Sequence, residues 1–222
     1  MDKNKEGIKY LQEGKFQEAI KYFSEAIEEN PNDATAYINF GNVLVAVNES
    51  ERAEKFFKRA IEIDEVASAA YYCLGNMYYE KEKYEEAVKE FEKAQKTGVD
   101  NQDLYFMMGM CFVQLGNPKL AIPYLQRSVE LNEHDIEARF QYGLALAQSE
   151  VYEEAVKQFQ IVINNDSNHA DAYYNLGVAY LGYYENTVKA EEMFNRALEI
   201  QPDHVLSGYG IKMIEKMRET SN

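Results

Sequence analysis

His134, His169 and His204 stand 35 residues apart, and each has an aspartate nearby: Asp135, Asp171 and Asp203. Imidazole and carboxylate are both metal ligands, so a row of metal sites is one reading of the spacing. Equal spacing implies one histidine per structural repeat, and packed helical layers lie about 10 Å apart. Ligands of one ion must converge to about 2.1 Å from it. The histidines are therefore expected as turn residues, and no metal and no cofactor is expected. The sequence contains no Ser-His-Asp elbow, HExxH helix, phosphate loop or CxxC pair, so no catalytic residue is assigned and no enzyme is expected. Cys73 and Cys111 fall in apolar runs. Two cysteines in a chain of this length do not make a disulfide framework, and both are expected as buried free thiols.

Composition narrows the partners. The chain has 222 residues, of which 46% are hydrophobic, enough to bury a core, and it carries a net charge of −15. Such a surface repels phosphate backbones and anionic lipid heads, so neither nucleic acid nor membrane is an expected partner. No apolar run approaches the roughly 18 residues of a membrane span. The start, Met1 to Glu13, is polar and lacks the apolar segment of a signal peptide, so a cytoplasmic location is expected.

The elements that carry these residues repeat. Glycine recurs at Gly7, Gly41, Gly75, Gly109, Gly143 and Gly177, every gap being 34 residues. Ala19, Ala53, Ala87, Ala121 and Ala155 follow in the same register, as do Phe23, Phe57, Phe91, Leu125 and Phe159. In the sixth repeat the corresponding Ala190, Phe194 and Ala197 come one residue late, which places a single insertion between Gly182 and Thr187. Within a repeat, Tyr37, Phe40, Gly41 and Leu44 share one helical face, and Ala53, Phe57, Ala60 and Ile61 share another. Each repeat is thus two helices. A period of this length is the signature of stacked supersecondary units. Glycine inside a helix costs about 0.5–1 kcal/mol relative to alanine. Close approach of the two helices, with the alanine opposite and the phenylalanines filling the wider space beside it, is the expected compensation. Pro123 falls inside the second helix of the fourth repeat, so either that helix starts later or it kinks.

This pattern resembles the tetratricopeptide repeat. The stretch from Ala70 to Tyr79 is close to the family's typical first helix, and the match covers about residues 1–203. The chain is similar to small stand-alone bacterial cytosolic members. The resemblance implies an all-α, right-handed α-solenoid forming a single superhelical domain over 1–222. It divides into six repeats at about 1–33, 34–67, 68–101, 102–135, 136–169 and 170–204, with a C-terminal capping helix at about 205–218. Leu206, Met213, Ile214 and Met217 are the expected apolar side of that capping helix, which Gly208 and Gly210 should leave frayed.

The resemblance also implies a concave groove, lined by the first helices, that binds extended or helical segments of other proteins. Family positions around the glycine then give a candidate partner-binding set: Ile38, Asn42, Tyr72, Asn76, Tyr79, Phe106, Met110, Val113, Arg139, Phe140, Leu144, Tyr174 and Val178. These residues are either ordinary core between neighbouring first helices or an exposed apolar stripe that marks an interaction site. Some family members hold acidic peptides with cations on these helices. Here Lys81 and Arg139 are nearly the only cations on the first helices from the second repeat onward, while Asp103, Glu137 and Asp171 recur at the starts of those helices. The groove is therefore expected to be cation-poor and to favour apolar segments with basic flanks. Arg139 is expected to pair with Glu137 or Asp135, to lay its stem on a neighbour, or to touch the ligand. Self-association through the end repeats or the final helix is the alternative.

Overall fold

A computed structural model describes residues 2–220, and the regular elements among them are thirteen α-helices. They fall into two compact units that divide between Leu115 and Gly116. The first holds α1 (Lys3–Gln12), α2 (Phe16–Glu29), α3 (Ala34–Ala46), α4 (Ser50–Ile63), α5 (Ser68–Glu80), α6 (Tyr84–Lys96) and α7 (Gln102–Gln114). The second holds α8 (Pro118–Leu131), α9 (Ile136–Gln148), α10 (Tyr152–Asn165), α11 (Ala170–Gly182), α12 (Thr187–Ile200) and α13 (Val205–Thr220).

Side chains at the turns start the first helices. Asp2, Asp33, Asn101 and Asp135 accept hydrogen bonds from backbone N–H groups of the first turns of α1, α3, α7 and α9. Each such cap satisfies a donor that the helix leaves open. The hairpins close with one residue in the left-handed region, at Gly14, Asn48, Glu82, Gly116, Glu150 and Glu185. In four of these turns a backbone N–H reaches the carbonyl five residues back, as Glu49 does to Leu44 at 2.8 Å. In the sixth, Asn186 reaches back six residues to Tyr180, also at 2.8 Å. The inserted residue is taken up there, and α12 keeps its packing on α11.

The core of five hairpins is a ring laid on a glycine; the fourth repeat carries Leu125 in place of the ring. A Cβ built on Gly75 would lie 2.6 Å from Cδ1 of Phe91, and one on Gly177 would lie 2.6 Å from Cδ1 of Phe194. Gly7, Gly41 and Gly143 stand in the same relation to Phe23, Phe57 and Phe159. The glycine therefore makes room for the phenylalanine itself; the expectation that the alanine lies opposite it is corrected. These rings are almost fully buried, and so are Ala19, Ala53, Ala87, Ala155 and Ala190.

Two further expectations change. Helix α8 runs without interruption from Pro118 through Pro123, so it does not start late. Pro123 and Lys119 are both exposed, and the Lys119 carbonyl, which loses its helical donor, can be hydrated instead. Helix α13 continues to Thr220, and its buried side is Ser207 and Ile214. Leu206, Met213 and Met217 are 54%, 57% and 42% exposed, so they do not pack inward. Gly210 permits that rotation, because a Cβ there would lie 2.6 Å from Cε2 of the Phe194 ring.

Replacing Gly75 with alanine tests the ring-on-glycine contact. The added methyl meets a buried ring that cannot retreat, so stability in urea unfolding should fall by about 1–3 kcal/mol despite alanine's better helix propensity. Combining it with Phe91→Leu should recover part of the loss that Gly75→Ala adds to the wild-type background.

Candidate partner-binding face

Two of the three periodic histidines, His169 and His204, act at helix starts. Nδ1 of His169 accepts from the Ala172 N–H at 3.2 Å, capping α11. Nδ1 of His204 accepts from the Ser207 N–H at 3.1 Å, and its Nε2 lies 3.0 Å from Oδ1 of Asp171. With Nδ1 accepting, the proton of the neutral ring sits on Nε2 and is donated to Asp171. His204 is 6% exposed and so fastens the start of α13 to the first turn of α11. His134 is exposed beside Asp135, which caps α9. Among the described residues no three His, Cys, Asp or Glu side chains form a group that could hold a metal.

From the second repeat on, the two cations singled out, Lys81 and Arg139, are both held against their surroundings. Nη1 of Arg139 donates to Oε1 of Gln158 on α10 at 2.8 Å, and Nη2 donates to the Glu133 carbonyl at 3.0 Å. Tyr37 and Tyr71 donate to the carbonyls of Pro31 and Glu65, six residues earlier, at 3.3 and 3.2 Å. Arg139 thus takes over a tyrosine's bond to the preceding turn. The expected pairing with Glu137 is corrected, since Glu137 accepts from Gln141 at 2.8 Å. Arg139 faces α10 and does not join the candidate binding face.

Lys81 donates to Oε2 of Glu54 at 3.0 Å, while Lys58 and the Tyr78 hydroxyl reach Oε1 at 2.7 and 3.2 Å. The Lys58 bond, with that of Lys81, holds the Glu54 carboxyl down at about 2. This cluster ties α4 to the end of α5.

In the first unit Ile38, Asn42, Tyr72, Asn76, Tyr79, Phe106, Met110 and Val113 are all half-buried. Ile38 packs at the margin of the core. Asn42 Oδ1 accepts from the Cys73 thiol at 3.3 Å, and the Tyr72 ring sits 5.7 Å from that of Phe91. Tyr79 meets the Tyr84 ring edge-on at 5.4 Å. Burial pushes the Cys73 thiol up to about 11 and that of Cys111 to about 12, so both stay protonated near neutrality. Cys73 is only half-buried, more open than its apolar run suggests.

In the second unit Phe140 is 7% exposed and packs against Phe159 and His169, with ring centroids at 5.8 and 4.4 Å. It is core, and its place in the candidate set is withdrawn. Tyr174 lies against Phe194 and His204 at 5.9 and 5.3 Å. Leu144 is half-buried, and Val178 is 44% exposed. Val178 borders two cavities. One, of about 360 Å3, opens between α9, the start of α10 and α11. The other, of about 390 Å3, lies between α11, α12 and the exposed side of α13. Sequence reasoning did not select Tyr152, Gly182 or Tyr183, which line the first cavity. The usable signal was side-chain size at equivalent positions, which motif matching does not weigh.

Hairpins of this geometry, repeated every 34 residues, define a tetratricopeptide repeat protein, and the chain belongs to that family. Tetratricopeptide repeat profiles match residues 10–74, 68–97, 102–135 and 170–204, and a TPR repeat profile matches 143–182. The crystal structure of YrrB, a TPR protein with an unusual peptide-binding site, is 53% identical in sequence. That match covers 86% of this chain and 97% of the other, with a TM-score of 0.82. The TPR repeat-containing protein YrrB of Bacillus subtilis (strain 168) aligns at 54% identity over 41 residues, which span 18% of this chain and 20% of that protein. The pilF protein of Pseudomonas aeruginosa, at 18% identity, covers 93% of this chain and 94% of its own with a TM-score of 0.73, a likeness of fold alone.

The Glu54 cluster gives a pH dependence. Its carboxyl titrates below the ordinary 4.5 in the folded chain, so its stabilisation is complete above that pH and is lost as pH falls toward about 2. Glu54→Gln should lower stability near pH 7 by about 1 kcal/mol, since the lysines are solvent-screened. Urea unfolding should find wild type and variant converging toward pH 2.

Proposed function

We propose that the chain is a protein–protein interaction scaffold whose first-helix faces bind an apolar segment of a partner protein, extended or helical, with basic residues flanking it. The observation that carries this reading is that Lys81 and Arg139 are engaged by Glu54 and Gln158, while Met110 and Val113 in one unit and Leu144 and Val178 in the other keep apolar surface in solvent. Acidic partners are disfavoured by such a face, and basic flanks are favoured. Tyr72, Tyr79, Asn42, Asn76 and Phe106 complete the proposed face of the first unit and Tyr174 that of the second, and the similarity to YrrB, described as having a peptide-binding site, supports the reading. No described helix is long and apolar enough to cross a membrane, and a cytoplasmic setting is part of the proposal.

Affinity capture from a native lysate tests it, with Met110→Glu and Val178→Glu compared with Lys55→Glu on an exposed stretch of α4. Partners held by wild type and Lys55→Glu should be lost from at least one of the other two, each verified as folded by circular dichroism. Retention by all three variants would remove the first-helix faces as the site.

A second reading, self-association, is favoured by α13, where Leu206, Tyr209 and Met213 are each more than half exposed. It predicts a dimer in sedimentation equilibrium that Met213→Glu dissociates; a wild-type monomer at high concentration rules it out.

A further inference from the structure

The cavity between α9 and α11 has a cause in the sequence. The space lies between Ala147 and Gln148 of α9 and Val178, Ala179 and Gly182 of α11. Ala147 stands where other repeats carry Val45, Tyr79 and Val113, and Gly182 stands where they carry Ala46, Glu80, Gln114 and Gln148. Both are smaller than their equivalents, and both line the cavity. A Cβ on Gly182 would meet nothing within 4 Å. The one-residue insertion follows directly, and Tyr183 there packs on Tyr152 with ring centroids 5.0 Å apart, walling the cavity mouth.

The lining is mostly apolar, its polar groups being the amides of Gln148 and Asn175 and the tyrosines Tyr152 and Tyr183, and no charged side chain contributes to it. A charged group inserted here would lose its hydration without a counter-charge. The rim is different. Glu150, Glu153 and Glu185 are exposed on the two adjoining turns, and the Tyr183 hydroxyl donates to Glu153 at 3.4 Å. Of the cations nearby, Lys157 bonds to Glu154 at 3.0 Å and Lys189 lies over the Tyr180 ring at 5.3 Å. Carboxylates beside exposed tyrosine faces attract a cation from outside.

We propose that this cavity is the anchoring subsite of the partner segment. It accepts one bulky apolar side chain (leucine, methionine or phenylalanine), with a lysine or arginine within one helical turn resting on Tyr152, Tyr183 and the rim carboxylates. The proposal rests on the scaffold reading above and adds the residue classes that the second unit selects.

The test is selection of phage-displayed random dodecapeptides on the full chain. Enriched peptides, labelled with fluorescein, are then titrated against wild type, Ala147→Tyr, Gly182→Gln, Glu150→Gln/Glu153→Gln and Met110→Glu. The first two variants install residues that the chain already carries at equivalent positions, Tyr79 and Gln148, and circular dichroism verifies their folding. Enriched peptides should share an apolar residue with a neighbouring lysine or arginine. Affinity should fall about tenfold or more in Ala147→Tyr and Gly182→Gln, as for a lost buried anchor, and by a few-fold in the double glutamine variant. Peptides that bind Ala147→Tyr and Gly182→Gln as well as wild type, but not Met110→Glu, overturn the subsite and leave the scaffold reading standing. Peptides lost on filling the cavity but enriched in acidic residues overturn the basic neighbour. Enrichment of no peptide at all overturns both readings.

Discussion

A phenylalanine ring seated on a glycine is the contact on which the hairpins depend. The ring occupies the volume where a Cβ would otherwise project, and both partners are buried. The distance between paired helices is set there, not by the small alanines nearby. Packing at interior density leaves little freedom for any other arrangement.

The hairpin contact repeats, while the features that could distinguish one partner from another are irregular. Arg139 replaces a tyrosine yet keeps the bond to the carbonyl six residues earlier, so a charge is absorbed without altering the turn. Lys81 is held by Glu54, which Lys58 also grips. Lys81 is thus neutralised and the Arg139 guanidinium is tied down by neutral acceptors, so the formal excess of acid governs what the faces attract. His169 and His204 look like ligands by residue type but serve as acceptors for the N–H groups of α11 and α13.

The repeat, the helix pairs and the late sixth register were legible because they follow from spacing alone. The period gives the hairpins, and the displaced Ala190 and Phe194 give the insertion. Rotation about a helix axis was less legible. Phe140 and Met110 occupy neighbouring positions around their glycines, yet Phe140 turns inward against His169, a residue whose spacing gave no sign of that contact. In α13 the pattern suggested Leu206 and Met213 as the buried side, but Gly210 lets Phe194 come close and turns both outward. Cavities were the least legible, because they arise where side chains are small, and small residues leave no motif.

The sixth turn has a consequence for how this chain can change length. Its extra residue is accommodated by a backbone bond reaching six residues back in place of five, and α11 and α12 still pack as a pair. Chain length is decoupled from helix packing at that point. The segment from Tyr183 to Asn186 is therefore a natural graft site, where a longer loop, a spectroscopic label or a new recognition sequence could be spliced beside the cavity without re-registering the helices on either side.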